Sequence, residues 1–256
     1  LGNRLTISDM PVELQELATA FNDMLDRIGE SLTRLSEFSS NLAHELRTPI
    51  NNLMTQTQVS LSKPRNTEEY KETLYANLEE YERLARMIAD MLFLAKADHG
   101  LIIPKRETVD IGKEIHALCD FYEVLADEKS IRLDVKGQAE CSGDALMLRR
   151  AFGNLLSNAI QHADSHSRIT IIIERCPGTI KIGITNQGNT IPPEHLPRLF
   201  DRFYRADEAR TRIDEGVGLG LAITQSIINA HGGVLTATSE RAITRFLVEI
   251  PVKMIL

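Results

Sequence analysis

Tryptophan is absent from this 256-residue sequence, aromatic residues make up only 5% of it, and it has three cysteines. Cys119, Cys141 and Cys176 lie far apart and form no CxxC pair, which suits a reducing compartment better than a disulfide framework or a zinc site. No apolar run approaches the roughly 18 residues that a membrane-spanning helix needs. The opening residues do not have the pattern expected of a signal peptide. Positive charge is not in excess: Lys and Arg number 29 against 36 Asp and Glu, and the net charge is −7. That argues against the basic surface that nonspecific nucleic-acid binding requires. The segment as given is expected to be soluble and cytoplasmic. With 43% hydrophobic and 25% charged residues it has an ordinary globular composition, long enough for one large domain or two small ones.

What the sequence does have is a long helical pattern. From Leu14 the apolar positions run through Leu17, Phe21, Met24, Ile28, Leu32, Leu35, Phe38, Leu42, Leu46, Ile50 and Leu53. Steps of three and four give a helix one buried seam, and a seam of this length implies a bundle or coiled coil. Lys63-Pro64-Arg65-Asn66 interrupts it, and Asn66 or Thr67 with Glu68 or Glu69 has the form of a helix cap. The second helix carries Leu74, Leu78, Tyr81, Leu84, Ile88, Met91 and Ala95 and stops at Asp98-His99-Gly100, before Pro104. Two such helices and a short loop make an antiparallel hairpin, which a dimeric four-helix bundle would complete.

Beyond residues 99–108 the pattern becomes mixed α/β. Ile111, Ile115, Leu118, Tyr122 and Leu125 form a helical stripe, and residues 144–163 and 222–230 also predict helices. Strands are expected at Ile131–Val135, Ile169–Ile173, Ile180–Ile184, Val234–Thr238 and Phe246–Ile250.

Two places carry chemistry. In His44-Glu45-Leu46-Arg47-Thr48-Pro49, a seam at Leu42 and Leu46 puts His44 roughly 200° away from each, facing solvent, with Thr48 on the same face. A neutral imidazole is a competent nucleophile near pH 7, and a neighbouring carboxylate can orient it and take its proton. Pro49 cannot donate to the Glu45 carbonyl, so the helix is free to bend there. The second place is split. Asn154 and Asn158, four apart, share a helix face, and Gly216-Val-Gly218-Leu-Gly220 runs directly into a helix, where close-approaching backbone N–H groups favour phosphate. Each feature alone is weak. This is no Rossmann turn, and no GxxxxGK[ST] loop exists in the chain.

The order of the pieces is specific. His44 to Pro49 resembles the H-box of sensor histidine kinases, Asn154/Asn158 their N-box and Asn186-Gln-Gly188-Asn-Thr-Ile191 their G1-box. Phe200-Asp-Arg-Phe-Tyr-Arg205 resembles the F-box and Gly216 to Gly220 the G2-box, all in family order. The resemblance implies a helical hairpin that dimerises into a four-helix bundle, followed by an α/β sandwich of the Bergerat ATP-binding type. It implies that His44 takes a phosphoryl group from ATP with Glu45 as base, and that an aspartate of a response regulator receives it. Thr48 would orient the water that removes phosphate from that regulator. Asn158 would hold Mg²⁺ with help from Asn154, Gly218 and Gly220 would cradle phosphates, Asn186 would meet the adenine amine, Arg205 would reach the γ-phosphate, and Gly188 of the G1-box and Gly216 of the G2-box would belong to the same ATP site. Asp9 to Ile28 resembles the end of a HAMP relay helix, which implies a membrane-anchored sensor upstream and the cytoplasmic portion of a bacterial inner-membrane protein.

The expected domains are a HAMP-like end at 1–30, a dimerisation and phosphotransfer domain at 31–98, a linker at 99–108 and the catalytic domain at 109–256. The runs Asn41–Leu53, Asp90–Asp98 and Pro193–Arg205 resemble the heavy-metal subgroup, copper or silver sensors especially. The sequence departs from the family at Asn186, where Asp is usual, at Thr190 for a second glycine, and at Gln161 and His162 for a cation and an aromatic residue. From these a looser nucleotide site is expected. A noncatalytic or phosphatase-only dimeric scaffold is the alternative, and a chaperone or mismatch-repair ATPase of the same nucleotide fold is disfavoured by the helical hairpin.

Overall fold

The computed structural model describes residues 11–206 and 217–253 and divides into two compact units between Leu84 and Ala85. In the first unit, α1 (Val12–Leu61) runs through Pro49 without a break, and α2 (Thr67–Asp98) returns. The loop between them ends in a capping box: the Asn66 Oδ1 accepts the Glu69 N–H and the Glu69 carboxylate accepts the Asn66 N–H, both at 2.9 Å. The structure thereby selects Asn66 and Glu69 from the four residues that the sequence offered. Thr73 donates no bond across the hairpin but receives the Ser60 hydroxyl at 3.0 Å, and Asn77 reaches Thr57 at 3.4 Å, so the helices run antiparallel. Leu53 is buried beside them, whereas Leu17 and Leu74 are 68% and 67% exposed. Much of the seam expected to be buried is therefore open in a single chain, because two helices cover only part of each other's apolar surface.

The second unit begins with the last turns of α2, where Met87, Met91 and Leu94 are buried. Asp90 there pairs with Arg150, whose guanidinium lies 4.8 Å from the centre of the Phe93 ring, and Asp98 pairs with Arg202. Burial pushes the Asp90 carboxyl up, against the opposing pull of Arg150.

A five-stranded sheet in the order β2-β4-β5-β7-β6 forms the core of this unit: β2 (Arg132–Lys136), β4 (Arg168–Cys176), β5 (Thr179–Gln187), β6 (Val234–Glu240) and β7 (Ile243–Pro251). Pairing is antiparallel except for β2 with β4, whose parallel pairing is allowed by the intervening helix α4 (Ala145–His162). Register aligns one buried row through Ile173, Ile182, Val248 and Leu235, and another through Ile171, Ile184 and Phe246. Period-2 alternation sends these side chains to one face. There α4 packs between α3 (Ile111–Glu128) and α5 (Gly220–Ala230), and Ile115, Leu155 and Ile227 are buried. Asp110 and Asp144 cap α3 and α4 by accepting the N–H groups of Lys113 and Met147.

All five expected strands form. Two more, β1 (Glu107–Asp110) and β3 (Glu140–Gly143), pair antiparallel beside the main sheet. At four residues each they are too short for a period to register.

Candidate active site

His44 and Thr48 are exposed on α1, as the spacing predicts, with Glu45 half-buried between them and Pro49 buried. Among the described residues, none of the side chains of His44, Glu45 and Thr48 makes a hydrogen bond, so the face they form is open to an incoming group.

Of the residues singled out in the second unit, Gly220 and Gly188 are brought against α4, the helix that carries Asn154 and Asn158. The Asn154 amide donates to the Gly220 carbonyl at 3.0 Å, which ties α4 to the first residue of α5. Thr224, fully buried, donates to the same carbonyl at 2.8 Å and lies 3.5 Å from the Asn154 amide. Nothing in the sequence marked Thr224, a single hydroxyl in an apolar helix. Asn158, one turn beyond Asn154, is half-buried and its side chain makes no hydrogen bond among the described residues, so its amide oxygen keeps its lone pairs.

At the other end of α4, the β5 terminus packs against the helix. A Cβ on Gly188 would lie 2.1 Å from the carbonyl oxygen of His162, so only glycine fits. Asn186 is 3% exposed, and its side chain also makes no hydrogen bond among the described residues. The Thr190 hydroxyl, which stands where the family has glycine, accepts the Ala242 N–H at 2.9 Å and fastens this turn to the β6–β7 connection. Gln161 and His162 are exposed.

The aromatic segment joins the glycine segment through backbone. The Phe203 N–H donates to the Gly218 carbonyl at 3.0 Å. Gly218 has φ +76°, and a Cβ there would come within 2.9 Å of the Phe203 carbonyl carbon. Tyr204 is held by a hydrogen bond to His195, with the Arg198 guanidinium 4.4 Å from its ring centre. Arg205 follows, half-buried. Gly216 lies outside the described residues, as do residues 1–10 of the HAMP-like stretch. A Cβ on Gly220, by contrast, would meet Asn154 at an ordinary 3.6 Å, so the chain's own packing does not demand glycine there. Burial pushes the thiols of Cys119 and Cys141 up to about 11, with Asp120 adding to the effect at Cys119, which leaves both poor nucleophiles.

Two family models match this architecture. Residues 34–100 match the His Kinase A (phospho-acceptor) domain, and residues 143–254 match the histidine kinase-, DNA gyrase B- and HSP90-like ATPase domain. The chain belongs to the sensor histidine kinases. Among curated relatives of this family, the sensor histidine kinase CusS of Escherichia coli (strain K12) is 45% identical over 252 residues, covering 98% of this chain and 52% of its own length. The probable sensor protein PcoS of Escherichia coli is 48% identical over 240 residues, covering 94% of this chain and again 52% of its own. The chain thus spans about half the length of these kinases. The crystal structure of the histidine kinase ThkA with the response regulator TrrA shares the fold at a TM-score of 0.68, with 21% identity and coverage of 87% of this chain and 63% of that one. No helix among the described residues is long and apolar enough to cross a membrane.

Proposed function

We propose that the chain is the kinase core of a two-component sensor, phosphorylating His44 from ATP and passing the phosphoryl group to an aspartate of a response regulator. The observation that carries the reading is the exposed, unpartnered His44 in the same chain as an asparagine- and glycine-lined site built on α4. In the transfer, an imidazole nitrogen of His44 forms the N–P bond, the bond from the γ-phosphorus to the bridging oxygen breaks, and ADP leaves. Glu45 takes the imidazole proton. Thr48, having no base to offer, would position a water against the regulator's phosphoaspartate. ThkA was crystallised with its regulator, which supports a regulator as the partner class.

The residues present fit the nucleotide. Asn186 offers a buried amide with unused bonding capacity for the adenine amine, Gly188 and Gly218 allow close backbone approach, Gly220 leaves its Cβ space open, and Arg205 follows the aromatic segment. They also fit magnesium. Asn158 has a free amide oxygen, while no group of three His, Cys, Asp or Glu among the described residues would hold a metal by itself. Asn158 with support from Asn154 would therefore share the ion with phosphates and water. Magnesium there supplies neutralisation of phosphate charge. The open apolar surface at Leu17, Leu74 and Leu78 supports a homodimer. The likeness to the sensors CusS and PcoS, both about twice this length, supports a sensor region upstream, where the HAMP-like stretch implies a membrane anchor, and the runs Asn41–Leu53, Asp90–Asp98 and Pro193–Arg205 support a copper or silver response.

Incubation with Mg-ATP tests the reading: the chain should acquire acid-labile phosphate, and His44→Gln should acquire none. Phosphate on His44→Gln refutes the acceptor. ATP binding without any phosphorylation of the wild type would favour the phosphatase-only scaffold.

A further inference from the structure

On the nucleotide reading, Asn158 would bring phosphates within about a turn of the end of α4, where a helix presents negative charge. The last carbonyls of a helix lack intrahelical partners and carry the negative end of its dipole. In α4 they lie in the turn that follows Asn158, and the His162 carbonyl crowds Gly188. Gln161 is neutral, and the last turn holds no Lys or Arg, only His162.

A cation arrives from another helix. Lys129, the C-cap residue of α3, donates its ammonium to the carbonyls of Ile160 at 3.0 Å and Gln161 at 2.6 Å. Its backbone is fixed on both sides: its N–H donates to the Ala126 carbonyl at 3.2 Å and its carbonyl accepts the His166 N–H at 2.9 Å.

The geometry points to Lys129 as a positioning residue for the nucleotide phosphates, whose ammonium offsets the negative end of α4 and steadies the turn that presents Asn158. This rests on the nucleotide reading above and specifies the charge on which phosphate binding depends. A cap that only stabilised the fold would act equally on adenosine and ATP. A charge acts in proportion to the ligand's own charge and is screened by salt.

Calorimetry on the whole 256-residue chain with adenosine, ADP and Mg-ATP, at low and high salt, separates the two. Lys129→Met keeps the apolar stem and removes the charge. Its ATP affinity should fall by about three- to tenfold while adenosine affinity changes by less than about twofold, with the loss shrinking at high salt. Lys129→Arg should keep the wild-type ratio of ATP to adenosine affinity, and adding Gln161→Lys to Lys129→Met should recover it. Equal losses for adenosine and ATP in Lys129→Met, or an ATP loss in Lys129→Arg as large as in Lys129→Met, overturn the inference. Should Lys129→Met fail to fold, Gln161→Glu at an exposed position of the same turn decides: it should weaken ATP more than adenosine, and equal effects overturn the inference. A wild-type chain that binds no ATP refutes the nucleotide reading instead.

Discussion

The Nε2 of His231 accepts the backbone N–H of Asp144 at 3.0 Å, while its Nδ1 bonds the Ile227 carbonyl at 2.8 Å. An amide N–H only donates and a carbonyl only accepts, so the ring is neutral with its proton on Nδ1. This one side chain joins the end of α5 to the N-cap of α4, the helix on which the nucleotide site is built.

The pair makes the catalytic unit sensitive to mild acid. Burial lowers the His231 pKa below its usual 6.5, against the smaller opposing effects of Ile227 and Asp144. The unfolded chain therefore binds more protons below about pH 6.5, and stability is full above that pH and declines as pH falls through the window beneath it. Asp144 adds a second loss further down. Burial raises its carboxyl pKa, but the N–H groups of Met147 and Lys105 outweigh burial and hold it below 3.8, so its contribution is lost only under 3.8. The melting temperature of the chain should fall between pH 7 and pH 5, and in His231→Gln that decline should flatten. A variant as acid-sensitive as wild type between pH 7 and 5 would reject the His231 assignment.

Glu45 and Thr48 should separate kinase from phosphatase activity. Glu45→Ala should slow autophosphorylation by at least about tenfold, at the low end of what general-base help contributes. Thr48→Ala should keep most autophosphorylation and lose the ability to dephosphorylate the regulator. Paired time courses with labelled ATP and with purified phosphoregulator measure both; equal kinase losses in the two variants would show that the roles are not separable.

Asn158→Ala should lose magnesium-dependent nucleotide affinity without unfolding, since the side chain is half-buried and bonds nothing in the fold. Circular dichroism should be unchanged while the ATP titration flattens. Wild-type affinity in magnesium would remove Asn158 from the site.

Gly188→Ala should destabilise the unit by more than about 1 kcal/mol, because its new methyl meets backbone rather than a side chain that can swing away. The apparent ATP affinity should fall with it. Chemical denaturation checks the first point, and a midpoint equal to wild type would mean that the turn relaxes freely.

The helical hairpin and the mixed α/β unit were each legible in the sequence because they rest on local periodicity. The 3.6-residue stripe wrote the hairpin and the exposure of His44, and period-2 runs of isoleucine wrote the strands β4 and β5. The ordered boxes named the asparagines and glycines, since their residue types carry the chemistry. What only the tertiary structure decided is what those residues touch. Asn154 meets Gly220 across 66 positions, Lys129 meets Ile160 across 31, and His231 meets Asp144 across 87. Contacts at such separations leave no repeat in the sequence, because they are set by how α3, α4 and α5 pack on one sheet face. For the same reason Thr190 reads as a departure in the sequence and as a fastening in the fold: its hydroxyl has a partner, the Ala242 N–H, only once β6 and β7 have paired.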